Sequence, residues 1–398
     1  MFTFFLLIII YLSFISLGLP DSLHGCAWPS MHIFFNVPLH YAGFISMIAT
    51  GASAVSSIFS ERIIRRLGTG IVTMASVLLT AGALTGISFS SSFIHLCLFA
   101  VPLGLGGGAV DASLNNYVAL NYKARHMSWL HCFWGLGASI GPIIMAFFLA
   151  RGNSWNLGYR TIGIIQFCLV IILVISLPLW KKNKSAEENN NHEHIKLKNI
   201  LQVAGVKEVL AAFFLYCTIE MTVGLWGASY LVTEKNIPPQ TASQWIALYY
   251  IGITLGRFIS GFITMKLSNR KMIRLGQIII GCGILIITIP AGDTTALPGF
   301  FLIGLGCAPI FPSLLHEAPE SFGKVYSQAV IGMQIGSAYI GTAIIPPLFG
   351  WLTSLFSFKI FPVFIGLILI IKIFVIEVSN RKVDNTKKKA RPACAGRA

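Results

Sequence analysis

Charged residues are scarce in this chain: Asp, Glu, Lys and Arg together make up 11% of its 398 residues. A soluble domain usually carries about 25%. Hydrophobic residues make up 55% of the chain and the mean hydropathy is +0.76. A globular core could not bury that much apolar surface, so the composition predicts a membrane protein with several spans.

Other features that the sequence lacks narrow the class of protein further. The apolar runs are long and unbroken, without the alternation of barrel strands, so helices are expected to cross the membrane. The eight cysteines form no CxxC pair and no cluster with histidine, so we expect neither a disulfide framework nor a metal site. No phosphate-binding loop or catalytic triad stands out, so we expect neither an ATP-driven pump nor an enzyme, and no cofactor.

Apolar runs of about 20 residues, the length of a membrane-crossing helix, fill most of the chain. Twelve spans are predicted, near residues 2–20, 38–59, 69–91, 93–120, 129–150, 160–180, 207–232, 241–265, 273–291, 297–319, 328–355 and 358–378. The predicted fold class is therefore an all-α membrane protein with twelve transmembrane helices.

Basic residues lie mainly in short loops on one side of these spans. Alternate loops hold 23 and 4 Lys and Arg residues, and two more lie within spans. This asymmetry follows the positive-inside rule. We therefore expect a multi-pass plasma-membrane protein with both termini in the cytoplasm, monomeric, and in contact with the lipid bilayer rather than with nucleic acid.

The two halves of the chain repeat each other at a constant offset of 200 residues. The segment "LGLGGGAVDASLNNY" (103–117) aligns with "IGLGCAPIFPSLLHE" (303–317), and "ASIG" (138–141) aligns with "AYIG" (338–341). In transporters built from parallel repeats of this kind, the substrate binds between the two halves. One half then rocks against the other, which opens the site to each side of the membrane in turn. The predicted division is a first half (1–180), a cytoplasmic linker (181–206), a second half (207–378) and a disordered basic tail (379–398).

Several stretches resemble the major facilitator transporters. "SERIIRRLGTG" is similar to their loop between the second and third helices, with Glu61 as the acid, and "GRFISG" (256–261) is similar to its second-half counterpart. "GLGGGAVDASLNNY", "MSWLHCFWGLGASIGP" and "YCTIEMTVGLWGASYLV" resemble the fucose permease-like sugar/proton symporters. The resemblance implies the major facilitator fold and places the proton-coupling acid at Asp111, where that group has Glu.

Four acidic residues lie within spans or at their edges: Asp21, Asp111, Glu220 and Glu317. Intramembrane acids are costly and usually face a cavity, where a carboxyl group can bind and release a proton as access alternates. Asp111 and Glu220 are the predicted proton-coupling residues. Asn115 lies one turn after Asp111 and could hydrogen-bond to it or to a sugar. The alternative is a structural acid that a neighbouring helix satisfies.

The predicted substrate contacts are polar or aromatic. They are Asp21, Asn115, Asn116, His131, Trp134, Trp226 and Gln334. An acid beside a tryptophan can hold a sugar through its hydroxyl groups and its C–H face. Pro20 predicts a helix break that would let Asp21 line a cavity, although Asp21 could also be an exterior loop residue. His131 could be a core residue, and Trp226 could pack near the interface.

Five residues are predicted to control access: Arg62, Arg66, Arg257, His316 and Glu317. The first two belong to the basic hairpin after the second span, and the last two end the tenth span. Arg257 is an isolated base in the eighth span, where an ion pair with the following loop is the expected contact.

Together these features predict a secondary transporter for a small polar solute, such as a sugar, coupled to protons. Two alternatives remain open. A drug or metabolite exporter of the same fold would have an apolar cavity with one acid. A membrane sensor would transport nothing, and the spread of intramembrane acids through both halves counts against it.

Overall fold

The computed structural model describes residues 2–122, 124–152, 154–180, 197–264, 266–289 and 295–395. In these residues the chain forms α-helices and short 3-10 helices, and no strand. The α-helices are α1 (Phe2–Asp21), α2 (Leu23–Phe34), α3 (Ala42–Leu67), α4 (Thr69–Ser88), α5 (Phe93–Asn121), α6 (Ala124–Leu149), α7 (Trp155–Ser176), α8 (Leu197–Gln202), α9 (Val206–Glu234), α10 (Pro239–Ile263), α11 (Asn269–Thr288), α12 (Ala296–Cys307), α13 (Ile310–Phe356) and α14 (Phe361–Ala395).

Twelve helical segments of the described residues are long and apolar enough to cross a membrane, as predicted. Helices α1 and α2 together form the first span, Phe5–Phe34. Helix α12 and the start of α13 form the tenth span, Ala296–Gly323, and the remainder of α13 forms the eleventh. The chain turns between these two spans at Gly323, whose φ of 77° suits a residue without a side chain.

The predicted break after Pro20 is present, since α1 ends at Asp21 and α2 begins two residues later. Proline has no N–H, so the carbonyl of Ser16 one turn earlier loses its helical partner. Gln166 of α7 replaces that partner, donating Nε2 to the Ser16 oxygen at 2.8 Å. The Gln166 Oε1 in turn accepts from Thr80 Oγ1 at 2.7 Å. The break is therefore stabilised by a buried polar network inside the first half.

Glycines at the 200-residue offset make the same close helix contact in each half. A Cβ added to Gly104 of α5 would lie 2.1 Å from the carbonyl oxygen of Ala49 in α3. A Cβ added to Gly304 of α12 would lie 2.0 Å from the carbonyl oxygen of Tyr249 in α10. Both partners also differ by 200 positions. A side chain at either glycine would push the two helices apart.

A second pair of glycines repeats this relation on the next helix. A Cβ on Gly106 would lie 2.5 Å from the Ser76 carbonyl oxygen, and one on Gly306 would lie 2.6 Å from the Gly276 carbonyl oxygen. The duplication seen in the sequence therefore extends to the helix packing of both halves.

We call the membrane face that carries the Lys- and Arg-rich loops the basic side, and the other face the opposite side. The halves meet on the opposite side, where a Cβ on Gly25 of α2 would lie 2.2 Å from the Gly224 carbonyl oxygen of α9. Nearby, Ser243 Oγ donates to the Pro142 carbonyl at 2.9 Å. We call these contacts the opposite-side seal.

Helix α13 shows that the halves separate toward the basic side. Near its opposite-side end, Pro347 lies against Gly43 of α3, 2.7 Å from an added Cβ. Gly336 and Gly332 continue this face of α13 toward the basic side, and a Cβ on either would have no atom within 4 Å. A cavity between the halves thus opens to the basic side.

The predicted tail and linker are corrected in part. Residues 379–398 were expected to be disordered, but α14 continues through most of them. Val383 is buried, and Lys382 Nζ pairs with Glu208 Oε1 at 2.7 Å, so this segment packs on the second half. Within the predicted linker, α8 is helical, and residues 181–196 lie outside the described residues.

Candidate substrate and proton site

Asp21 lies inside the bundle at the end of α1. Its side chain is exposed although both neighbouring residues are buried, so it lines the cavity. It belongs to the first span rather than to an exterior loop. Trp134 of α6 donates its indole Nε1 to Asp21 Oδ2 at 2.7 Å. Two of the predicted substrate contacts therefore meet in the first half.

Arg257 of α10 joins this pair to the second half. Its Cζ lies 4.8 Å from the centre of the Trp134 ring, in the range of a cation–π contact. Its Nη2 also lies 3.5 Å from Oε1 of Glu220 in α9. The expected ion pair with the following loop is therefore wrong, since Arg257 pairs within the membrane. We call Asp21, Trp134, Arg257 and Glu220 the central cluster.

Two tyrosines that the sequence did not identify as site residues hold Glu220. The Tyr216 hydroxyl makes a short hydrogen bond to Glu220 Oε2 and also lies 3.1 Å from the Cys307 carbonyl oxygen. The Tyr249 hydroxyl donates to the backbone carbonyl of Glu220 at 3.0 Å. The i, i+4 spacing of Tyr216 and Glu220 could have identified the first contact. Tyr249 lies on another helix and left no local signal.

Asp111 of α5 forms a second polar group on the cavity. Asn115 Nδ2 donates to Asp111 Oδ1 at 2.9 Å, as the i, i+4 spacing predicts. Asp111 lies within electrostatic range of both Asp21 and Tyr339. Tyr339 of α13 forms a hydrogen bond of 3.0 Å with Ser57 of α3, which joins the halves here as well.

His131 and Gln334 lie near the cavity but outside the central cluster. The half-buried His131 ring packs edge-on to Phe14, with centroids 5.9 Å apart, and lies 6.5 Å from Phe311 of the second half. Gln334 is fully buried and donates Nε2 to the Leu314 carbonyl at 3.3 Å. Its Oε1 has no hydrogen-bond partner among the described residues. Of the two, His131 is the one at the inter-half boundary.

The structure does not bring Trp226 or Asn116 to this site. Trp226 is fully buried, donates Nε1 to the Pro346 carbonyl at 2.8 Å, and packs against Phe349 and Phe358. The sequence had left open that Trp226 packs against other side chains instead of contacting substrate, and its position agrees with that alternative. Asn116 is exposed on a different face of α5 from Asp111.

The predicted gating residues do not form one group. Arg62 and Arg66 are exposed at the basic-side end of α3, and Arg62 lies over Phe59 of its own helix at 6.0 Å. His316 is exposed on α13. These three residues remain predictions for the basic-side closure.

Glu317 belongs to an ion network inside the second half. Its Oε1 accepts from Arg270 Nε at 2.8 Å and from Ser321 Oγ at 2.9 Å. Arg270 Nη1 also bonds to Asp384 Oδ1 at 2.8 Å. The network therefore ties α13, α11 and α14 together, and it does not cross between the halves.

The cavity carries more negative than positive groups. Asp21, Asp111 and Glu220 provide three carboxyl groups, whereas Arg257 provides one guanidinium that already contacts Glu220. In the part of the chain that the structure describes, no group of three or more His, Cys, Asp or Glu residues could hold a metal ion. The arrangement suits hydrogen bonding and proton exchange.

The family model of the Major Facilitator Superfamily matches residues 2–230 and 209–396. The chain belongs to the major facilitator superfamily. The glucose/mannose transporter GlcP of Bacillus subtilis (strain 168) is 28% identical over 285 residues, 68% of each chain. The cis,cis-muconate transport protein of Acinetobacter baylyi (strain ATCC 33305 / BD413 / ADP1) is 23% identical over 346 residues, 80% of each chain.

A solved structure of the nucleoside transporter NupG shares this fold, with a TM-score of 0.77 at 12% identity. The likeness covers 93% of this chain and 98% of that one. The predicted major facilitator fold is therefore confirmed. This superfamily consists of membrane transporters, so the chain is a multi-pass transporter rather than an enzyme.

Proposed function

We propose that this chain moves a neutral sugar together with protons across the plasma membrane by alternating access. The observation that carries the proposal is the central cluster, in which Asp21 and Trp134 of one half meet Arg257 and Glu220 of the other. A solute bound there would contact both halves at once. Its binding can therefore bias the rocking movement that repeat halves perform.

Trp134 and Asp21 support a sugar as the solute. An indole ring offers an apolar face to the C–H groups of a pyranose, while carboxylate and amide groups accept or donate hydrogen bonds to its hydroxyls. Asp111 and Asn115 add further hydrogen-bonding groups on the same cavity. The similarity to a glucose/mannose transporter points to a hexose.

The charge of the cavity favours a neutral solute over an organic anion. Arg257 is the cation of the central cluster, and Glu220 already neutralises it. An anionic sugar or a dicarboxylate such as muconate would meet the carboxyl groups of Asp21 and Asp111 without a free cation. An anion without a cation partner is costly inside a membrane protein, whether or not these carboxyl groups carry protons.

Proton coupling follows from the same excess of acids. A carboxylate without a cation is costly inside a membrane protein, and a bound proton removes that charge. Asp111 pairs with a neutral amide rather than with a cation. We therefore assign Asp111 the coupling proton, and place the basic side, with both chain termini, in the cytoplasm.

Uptake into proteoliposomes tests the proposal directly. The panel would hold glucose, mannose, galactose, glucuronate, muconate and a lipophilic cation, each with and without an imposed pH gradient. We expect accumulation of a neutral hexose that requires the gradient. Accumulation of an anion or of the lipophilic cation instead would overturn the sugar assignment, and equilibration without accumulation would overturn the proton coupling.

Two tryptophan variants distinguish, in this assay, the loss of a binding residue from a general effect on folding. Trp134→Ala removes the ring between Asp21 and Arg257 and should abolish uptake. Trp351→Ala is the matched control, because Trp351 is 56% exposed and lies at the opposite-side end of α13, away from the central cluster. Equal uptake by both variants would show that the central cluster is not the binding site.

A further inference from the structure

The break in the tenth span lies against Tyr216 of α9. Helix α12 ends at Cys307 and α13 begins at Ile310, and Pro309 and Pro312 have no N–H to donate to the carbonyl one turn before each of them. The last carbonyls of a helix lack an intrahelical donor. The Tyr216 hydroxyl supplies one, since its oxygen lies 3.1 Å from the Cys307 carbonyl oxygen and both residues are fully buried.

The same hydroxyl also binds Glu220. It forms a hydrogen bond to Glu220 Oε2, while Glu220 Oε1 lies 3.5 Å from Arg257 Nη2. A phenol carries one O–H, so Tyr216 can donate fully to only one of its two acceptors. The break in the first half differs in this respect, because the donor there is the amide of Gln166, which does not titrate. The break in the second half shares its donor with a carboxyl group.

The protonation state of Glu220 therefore determines which acceptor receives the hydroxyl proton. An ionised carboxylate can only accept, and a hydrogen bond to a charged acceptor is stronger than one to a neutral carbonyl. Tyr216 then donates to Glu220 and leaves the Cys307 carbonyl without its donor. A protonated Glu220 donates its own O–H to the Tyr216 oxygen, which frees the hydroxyl proton for the Cys307 carbonyl.

Among the described residues, the charged and titratable groups around Glu220 and its nearest neighbours come from several helices. They are Tyr216 and Cys217 of α9, Arg257, Tyr249 and Tyr250 of α10, Cys307 of α12, Lys372 of α14, Cys26 of α2 and Asp21 of α1. Tyr216 contacts both the Glu220 carboxyl group and the Cys307 carbonyl, whereas Tyr249 contacts the backbone of Glu220. Tyr216 is therefore placed to connect the acid with the break.

The segment that follows the break contacts both halves through Phe311. This residue lies one turn after Cys307, and its ring centroid is 5.0 Å from that of Phe213 and 6.3 Å from that of Tyr216, both in α9. It also lies 6.5 Å from the ring of His131 in the first half. A change at the break would therefore shift a side chain at the boundary between the halves.

We propose that Tyr216 relays the protonation of Glu220 to the break in the tenth span. The proposal rests on the proposed function, to which it adds the residue that connects a proton with the movement of a helix. When Glu220 takes a proton from water in the cavity, Tyr216 bonds to the Cys307 carbonyl and holds the break. When the proton returns to water, Tyr216 bonds to the carboxylate and releases the break.

Amide hydrogen exchange in the segment 308–316 measures how often the break opens. The exchange is followed by peptide mass spectrometry on the full-length protein in detergent, without sugar, over a series of pH values. The rate for each variant is divided by the wild-type rate at the same pH, which cancels the intrinsic pH dependence of amide exchange.

Tyr216→Phe removes the hydroxyl and keeps the ring. We expect its ratio to fall from about threefold or more at the acidic end of the series, where wild-type Tyr216 holds the break, to about one at the alkaline end. Tyr230→Phe is the matched control, because Tyr230 is a buried tyrosine near the other end of α9, stacked on Phe361. Its ratio should stay close to one throughout, and thermal unfolding verifies that both variants are folded.

Glu220→Gln should give the opposite pattern. Its neutral amide mimics a protonated carboxyl group, so we expect a ratio of about one third or less at the alkaline end and about one at the acidic end. The double variant should behave like Tyr216→Phe alone, because the relay passes through the hydroxyl.

Two results would overturn the relay: a Tyr216→Phe ratio that does not change with pH, or an effect of Glu220→Gln that persists in the double variant. Because the exchange is measured without sugar, these results are independent of hexose uptake. The relay can be confirmed in a protein that fails the uptake assay, and it can fail in a protein that passes.

Discussion

Trp134 is held on two sides by groups from different halves. Its indole N–H donates to Asp21, and its ring lies under the guanidinium of Arg257. A hydrogen bond to a charged group and a cation–π contact each contribute on the order of 1–3 kcal/mol. The orientation of this ring therefore depends on both halves, and small changes to it should alter the affinity for the substrate.

Trp134→Phe tests the two contacts separately. Phenylalanine keeps an aromatic face for Arg257 but has no N–H for Asp21, so the sugar KM should rise about tenfold or more. Uptake kinetics in proteoliposomes measure the change. The double variant with Asp21→Ala should lose little beyond either single variant, because both substitutions remove the same hydrogen bond. Additive losses would show that the two side chains act independently.

Asp111→Asn keeps the shape of the side chain and removes its titratable proton. We expect sugar exchange to persist and accumulation against a concentration gradient to be lost. Counterflow and gradient-driven uptake, measured on the same vesicles, distinguish these outcomes. Glu320→Gln is the control, since Glu320 is exposed on α13. Accumulation by Asp111→Asn would rule out Asp111 as the coupling residue.

At this scale the sequence predicts contacts within one helix and misses those between helices. The spacing of Asp111 and Asn115 predicted their hydrogen bond, because an α-helix brings residues four apart together. The partner of Arg257 was predicted wrongly, because Glu220 lies on another helix and nothing local indicates how the two helices meet. The packing of α9 against α10 determines the contact between Glu220 and Arg257. Tertiary packing likewise determines that Trp226 is buried.

Among the elements, the break between α1 and α2 depends on Gln166. This side chain satisfies both the Ser16 carbonyl, which Pro20 leaves free, and the Thr80 hydroxyl. Gln166→Leu would leave the buried Ser16 carbonyl unpaired, whereas the Thr80 hydroxyl keeps its contact with the Val77 carbonyl. We therefore expect a loss of about 1–3 kcal/mol in the free energy of unfolding. Thermal unfolding in detergent measures it. An unchanged melting temperature would show that water replaces the amide.

The contact between α2 and α9 allows no side chain at Gly25. A Cβ there would lie 2.2 Å from the Gly224 carbonyl oxygen, so Gly25→Ala should hold the opposite-side seal open. Cys26, which follows Gly25, is fully buried. We expect N-ethylmaleimide to alkylate it faster in the variant, and we expect net transport to be lost. Gly82→Ala is the control, because a Cβ at Gly82 has no atom within 4 Å. Equal alkylation rates in the two variants would contradict this account of the seal.

The sequence predicts the number and the approximate positions of the spans better than the residues at which the helices end. Length and hydropathy suffice to predict a membrane-crossing helix, because a segment in lipid must form all of its backbone hydrogen bonds within itself. The end of α14 was placed too early, at the first cluster of charged residues after the span. Val383 and the Lys382–Glu208 ion pair keep that segment helical, and such tertiary contacts leave no trace in hydropathy.

For the whole molecule, the free face of α13 marks where the halves must meet in the other state of the cycle. Gly336→Leu would fill this face, so we expect it to prevent closure on the basic side. Sugar binding should persist while net uptake is lost, as equilibrium binding and vesicle uptake would show. Gly261→Leu is the control, since Gly261 is also exposed and free of neighbours. Normal uptake by Gly336→Leu would place closure elsewhere.

The sequence predicted the duplication, which the matching glycine contacts of the two halves support. It did not predict which side of the protein is closed, and the site between the halves stays a prediction. Both states of an alternating transporter are built from the same residues, and their free energies differ by only a few kcal/mol. The contact of Gly25 with Gly224 and the free face at Gly336 become visible only when one state is described. The glycine pattern in the sequence is compatible with a protein closed on either side of the membrane.

The matching contacts of Gly104 with Ala49 and of Gly304 with Tyr249 bear on how the chain arose. Two identical ancestral subunits related by a two-fold axis would have shared this contact, and it has persisted in both descendants. The chemistry has not, because Asp21 aligns with Met221 and Glu220 aligns with Pro20. Fusion into one chain released each half to evolve its own charges, while the backbone contacts that fix the helices stayed under the original constraint.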